Sequence, residues 1–216
     1  KNTIQAMCAG CHVTGYERYF DEKTGQALVR GVNDPNGSFN IDDDPEMDEV
    51  NVGCESCHGP GSAHLETAGL GDHFPSEMVN PAFLSVERET AVCGRCHDRR
   101  KGPGGPALGY TQPINEKGEL MPPGLSRHEM ITVYSATRGP IPGKEIWPDD
   151  VHSRKPHQQY PDYIKSGMYR NDRLMVGCSD CHNMHGGTGF RRSLVANPDD
   201  SSSPLCQNCH AVDINQ

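Results

Sequence analysis

A mostly irregular chain with short α-helices and little or no β-sheet is the fold class this sequence predicts. Three observations carry that expectation. Apolar residues make up only 34% of the 216 and aromatics 6%, too few for an ordinary sandwich or bundle core. The chain holds 24 glycines and 17 prolines, which interrupt regular elements along its length. All ten cysteines fall into five Cys-x-x-Cys pairs, and each pair is followed at once by histidine.

The five are Cys8/Cys11/His12, Cys54/Cys57/His58, Cys93/Cys96/His97, Cys178/Cys181/His182 and Cys206/Cys209/His210. This is the attachment signature of c-type haem. Two thiols reach the two vinyl groups of one porphyrin, and the next residue turns its imidazole onto the iron. Zinc ribbons and redox-active disulfides also use Cys-x-x-Cys, but neither needs the histidine, and ribbon pairs come in twos whereas five is odd. Histidine is 11 of 216 residues, so five pairs each followed by one would arise by chance on the order of 10⁻⁷ of the time. The sequence therefore predicts five c-type haems, with His12, His58, His97, His182 and His210 as the first iron ligands. It also predicts one pentahaem domain over residues 1–216, wrapped around a packed haem array. Porphyrins supply the missing apolar volume, and thioethers with axial ligands staple the chain to them.

Taken in order, the elements are brief. Ser62 caps a short helix from Ala63 to Ala68, closed by Gly69, and a second helix runs from Val86 to His97 into the third motif. Repeated Gly and Pro between Gly102 and Pro148 forbid long regular elements and make this a wrapping segment. A further helix is expected between Pro156 and Ser166, with Pro161 tolerated in its first turn. Val52-Gly53 and Val176-Gly177 give the second and fourth motifs the same lead-in, where glycine lets backbone pass close to a porphyrin. The run Asp42 to Glu49 holds six carboxylates in eight positions. It lacks the glycine turn and closing glutamate of a calcium loop and reads as a solvated acidic stretch.

Each iron needs a second axial ligand. Six histidines lie outside the motifs: His64, His73, His128, His152, His157 and His185. That supply suffices for bis-histidine ligation of five irons. His185 stands three residues beyond His182, too close to reach the other face of the same porphyrin, so it should ligate a neighbouring haem. His64 follows His58 by six residues through Gly59-Pro60-Gly61 and invites the same argument. His157, Ile164 and Met168 lie at i, i+7 and i+11, one face if the segment stays helical to Gly167. Met168 is thus a candidate thioether ligand, with core filling as its commoner role. His128 and His152 are weaker candidates, and His73 is the one expected to stay unliganded.

The stretches Cys8-Ala-Gly-Cys-His-Val-Thr-Gly-Tyr16, Gly53-Cys-Glu-Ser-Cys-His-Gly-Pro-Gly-Ser-Ala-His64, Cys93-Gly-Arg-Cys-His97, His157-Gln-Gln-Tyr160, Cys178-Ser-Asp-Cys-His-Asn-Met-His185 and Cys206-Gln-Asn-Cys-His210 resemble the multihaem cytochromes c related to the nitrifier tetrahaem electron carrier. The resemblance runs from about residue 6 to 211. Relatives in that group include larger multihaem reductases and surface cytochromes that polymerise into conductive filaments. It implies distal-ligand roles for His64 and His185, in agreement with the spacing. Where relatives often carry a histidine after the His-Gln-Gln-Tyr helix, this chain reads Ser166-Gly167-Met168-Tyr169, so that iron is His/Met ligated or takes its ligand from elsewhere.

The formal net charge is −9, and haem propionates add to it. No basic run exceeds Arg99-Arg100-Lys101, so nucleic acid is excluded as a partner. No stretch of 18 or more apolar residues is present to span a membrane. The chain opens on Lys1, which reads as a processed or trimmed terminus, and haem is joined to this motif outside the cytoplasm. A periplasmic or extracellular location follows as the expectation. The expected function is electron transfer, not catalysis, through mostly bis-histidine haems between extracytoplasmic redox proteins. A filament subunit in contact with further copies of itself is the structural alternative. A multihaem reductase with one open iron is the enzymatic one.

Overall fold

The computed structural model describes residues 8–31, 49–67, 78–98, 102–104, 108, 113–135, 147–149, 152–200 and 203–210. The chain divides into two compact units, Lys1–Arg170 and Asn171–Gln216. Unit 1 carries the first three motifs and unit 2 the last two. His73 and Asp42 to Asp48 lie outside the described residues.

In unit 1 the elements are α1 (Ala9–His12), β1 (Val13–Thr14), β2 (Tyr16–Asp21), β3 (Gln26–Gly31), β4 (Glu49–Val50), α2 (Glu55–His58), α3 (Ser62–Thr67), a 3₁₀ turn (Pro81–Phe83), α4 (Val86–Gly94), α5 (Arg127–Val133), α6 (Gln159–Tyr163) and α7 (Gly167–Arg170). Unit 2 holds a 3₁₀ turn at Arg191–Ser193 and α8 (Pro204–Gln207). Short helices and two small antiparallel pairs, β1 with β4 and β2 with β3, match the mostly irregular fold the composition predicts.

The β2–β3 hairpin is an element that the sequence reading does not predict. It runs in register from Tyr16↔Gly31 to Asp21↔Gln26. Asp21 builds its turn: Oδ1 accepts the Lys23 amide at 3.0 Å and Oδ2 the Thr24 hydroxyl at 2.7 Å, while Gly25, at φ +66°, returns its N–H to the Asp21 carbonyl at 2.8 Å. Asn115 folds the loop of residues 113–121 in the same way, accepting the amides of Lys117 and Glu119 at 2.9 and 3.0 Å. That loop joins the hairpin where the Arg18 amide donates to the Gly118 carbonyl at 2.9 Å. A Cβ on Gly118 would stand 1.8 Å from the Arg18 carbonyl oxygen, so only glycine permits the approach.

Side chains cap the starts of α4 and α5. Ser85 accepts from the Arg88 amide to open α4, which carries Glu87 and Glu89 in its first turn. Ser126 and Glu129 form a reciprocal capping box on α5. This helix lies inside the Gly- and Pro-rich wrapping segment, and its Ser-x-x-Glu signal was legible but unused. The helix into the third motif is shorter than expected: α4 ends at Gly94, and Cys96 and His97 turn back on the Cys93 carbonyl at 3.2 and 3.0 Å. The expected continuous helix through 157–167 is not formed. His157 stands before α6 at φ +63°, Ile164 closes α6, and Ser166 Oγ accepts the Tyr169 amide at 3.3 Å in starting α7. His157, Ile164 and Met168 therefore do not share one helical face.

Unit 1 has two apolar clusters. Ala91, Met121, Met130, Tyr134, Tyr160 and Ile164 form one, where α4, α5 and α6 meet. Ala9, Val13, Val29 and Ile114 form the other, behind the first motif.

Candidate haem sites

All five motifs adopt the same local turn. The amide of each motif histidine donates to the carbonyl of the first cysteine, at 3.1 Å for His12, 3.0 Å for His58, His97 and His182, and 2.9 Å for His210. The second cysteine's amide also donates to that same carbonyl, at 3.1 to 3.3 Å. One helical turn therefore gathers two sulfurs and an imidazole, the placement a doubly attached porphyrin needs. None of the ten cysteines is in a disulfide.

The imidazoles are oriented from behind. His58 Nδ1 lies 2.8 Å from the Val79 carbonyl oxygen, His182 Nδ1 2.9 Å from that of Arg192, and His97 Nδ1 3.0 Å from Gln159 Oε1. Each acceptor fixes the proton on Nδ1 and leaves the Nε2 lone pair for a metal. In unit 2 this costs backbone strain. Arg192 and Ser193 sit in the left-handed region at φ +58° and +55°. Their carbonyls thereby face His182 Nδ1 and the Asn183 amide, the latter at 2.8 Å.

The residues fit covalent haem. Thiols outside any disulfide, histidines held through Nδ1 and apolar surface recur together: Val52, Leu65, Phe83, Leu174, Met175 and Met184, close in sequence to the turns or their partners, stay exposed, Phe83 at 87% and Leu65 at 75%. A porphyrin face is the apolar surface that would cover them.

Within unit 1 the three motifs are tied to one another. Thr14, 5% exposed, directly follows the first motif. Its hydroxyl donates to the Asn51 carbonyl at 2.8 Å and receives the Gly53 amide at 2.8 Å, leaving its second lone pair for the Ser56 hydroxyl at 2.8 Å. The Gly53 of the repeated lead-in thus serves as an amide donor, as does Gly177, whose N–H reaches Asp180 Oδ2 at 2.7 Å. Cys11 of the first motif donates to the Cys96 carbonyl of the third at 3.8 Å. The Cys11 thiol beside the Cys96 sulfur, together with Arg95, lowers the Cys96 thiol pKa against the cost of burial. That same contact, with burial, pushes the Cys11 thiol up. Burial pushes Cys57 and Cys181 up as well. Arg95, 3% exposed, donates to the Met121 carbonyl at 3.0 Å and lies among Cys11, Cys57 and Cys96.

The candidate distal ligands are all at the surface. His64 is exposed on α3, His128 on α5 and His157 ahead of α6. His185 is exposed just after the fourth motif, its amide held by Asn183 Oδ1 at 3.1 Å. His152 is exposed and its Nδ1 sits 2.7 Å from Asp149 Oδ2, which raises its pKa. Met168 is 51% exposed on α7. Sequence reasoning missed Thr14, Arg95 and the role of Gln159, although Gln159 lies inside the His157-Gln-Gln-Tyr160 string already singled out.

The doubled motif of unit 2 indicates covalently bound c-type haem, and the fold is similar to that of a multihaem cytochrome. Residues 173–215 match the family model of the doubled CXXCH motif. Among solved structures the chain is similar to the outer cell wall cytochrome OcwA, with a TM-score of 0.60 and 23% identity over 95% of this chain. It spans 44% of the length of that chain. No curated protein matches the chain.

Proposed function

We propose that the chain carries five c-type haems, one at each motif, and passes single electrons along them between redox proteins outside the cytoplasm. The observation that carries this reading is the repetition of one turn, five times, with cysteines outside any disulfide and a histidine amide folded onto the first cysteine's carbonyl. Haem supplies the one-electron chemistry, and the chain supplies attachment, orientation and shielding. His12, His58, His97, His182 and His210 are the proximal ligands. The distal positions are filled from His64, His128, His152, His157, His185 and Met168. Irons filled on both faces carry electrons without binding substrate, which makes the protein a carrier instead of a catalyst. The likeness to a cell wall cytochrome supports the extracytoplasmic setting.

The test is intact mass under denaturing conditions followed by electron paramagnetic resonance of the ferric protein. Five haem masses on the polypeptide and exclusively low-spin iron are expected. A smaller mass contradicts the number, and a high-spin signal in the parent protein contradicts full axial ligation. His185→Ala should add one high-spin iron with all five haems still attached.

A further inference from the structure

We propose that Gln159 is the positioning residue that sets the potential of the haem at Cys93, Cys96 and His97, an inference that rests on haem attachment at this motif as read above. His58 and His182 face main-chain carbonyls through Nδ1, whereas His97 faces a side chain, Gln159 Oε1 at 3.0 Å, 62 residues further along the chain. A main-chain carbonyl is a fixed acceptor, but a side chain can be exchanged for a stronger or weaker one.

Several contacts hold Gln159 in register with His97. The Tyr160 amide donates to the His97 carbonyl at 3.0 Å. The Tyr160 ring lies against Gly94, where a Cβ would stand 2.6 Å from Tyr160 Cδ2. Gln158 and Tyr160, both 2% exposed, anchor the backbone on either side, and Gln159 between them points outward to the imidazole. The chain thus places an amide oxygen behind His97 by docking α6 on α4, with the Gly94 surface as the seat.

The chemistry follows from the imidazole. A stronger acceptor draws the Nδ1 proton away from the ring, makes Nε2 a better donor and favours ferric iron, while a ring without an acceptor does the reverse. Gln159→Glu should therefore lower the potential of this haem and Gln159→Leu should raise it. Both variants should keep the low-spin spectrum, and the other four haems should hold their potentials.

The experiment is potentiometric titration of the fully loaded protein and both variants, with haems resolved by their low-spin resonances, after intact mass has confirmed the haem complement. Shifts of opposite sign confined to one haem support the assignment. No shift, shifts of the same sign, or shifts spread over all haems overturn it. Should Gln159→Leu lose its haem, Gln159→Glu decides alone: a lowered potential supports the proposal, and an unchanged or raised one overturns it. A parent mass short of the haem at Cys93 and Cys96 overturns the haem reading together with this proposal, whereas a complete mass without the opposite shifts overturns this proposal alone.

Discussion

Unit 1 and unit 2 repeat the same haem turn on different foundations. In unit 1 most residues between the cysteines face protein: Ala9, Gly10, Ser56, Gly94 and Arg95 are buried, and Glu55 is exposed. In unit 2 the corresponding Ser179, Asp180 and Asn208 are exposed, with Gln207 half-buried. Unit 1 backs its turns with two apolar clusters. Among the described residues of unit 2, the buried ones are Gly177, Ala196 and Ser203, which make no comparable cluster. One turn geometry therefore does not imply one source of stability. Unit 1 has a protein core of its own, whereas unit 2 is expected to rely on bound porphyrin as its core, as small metal-stapled folds rely on their metal.

The strongest way to break this contrast is to remove one haem from each unit. Replacing Cys206 and Cys209 together by alanine should cost unit 2 its fold, seen as rapid proteolysis confined to residues 171–216. The same change at Cys8 and Cys11 should leave unit 1 protease-resistant. Equal resistance in the two variants would end the distinction.

A core cavity sharpens it from the other side. Met130→Ala empties a fully buried position of unit 1 and should cost about 2–5 kcal/mol. Thermal unfolding followed by amide exchange should show the loss in unit 1 alone. Gly118→Ala, driven against the Arg18 carbonyl from a position at φ +87°, should cost about 3 kcal/mol and detach the 113–121 loop from the hairpin. Preserved amide protection at Arg18 would contradict this.

In unit 2 the expected change is a gain. Ser193→Gly relieves a left-handed residue and should stabilise the haem-loaded unit by about 1 kcal/mol, provided the Arg192 carbonyl keeps its place behind His182. A lowered melting temperature would show that the side chain matters more than the strain.

The smallest effect is on pH. The Ser126 hydroxyl and amide hold the Glu129 carboxyl below its usual range. A depressed carboxylate lends stability that is present above the unfolded-state value, about 4.3, and is lost as pH falls through the lower folded value. Amide exchange in α5 should accelerate over that acid range, and Ser126→Ala, costing about 1 kcal/mol, should flatten the dependence.

Much of this was legible in the sequence, because covalent attachment writes itself as spacing. The five motifs and the short helices are local patterns, and local patterns survive in a string of letters. The hairpin was missed because a porphyrin-centred reading looked for helices around cysteines, although Asp21, Thr24 and Gly25 are ordinary turn chemistry. The helical face of His157 and Met168 failed because Ser166 interrupts it with a cap. The partners behind the imidazoles lie from 10 to 62 residues away in the chain. No periodicity reports a contact made across such separations, and only the docking of α6 on α4 explains why Gln159 meets His97.

Thr14 carries a consequence for speed as well as stability. Its one hydroxyl uses its single proton and both lone pairs within unit 1, joining the strand after the first motif to the loop and turn of the second. Electron tunnelling weakens exponentially with the gap between cofactors, so in the proposed electron carrier a joint that resists small displacements between consecutive attachment points would keep that gap constant. Such a joint needs little energy of its own, only the absence of slack, and a saturated hydroxyl between two motifs meets that need with three bonds and no mobile charge.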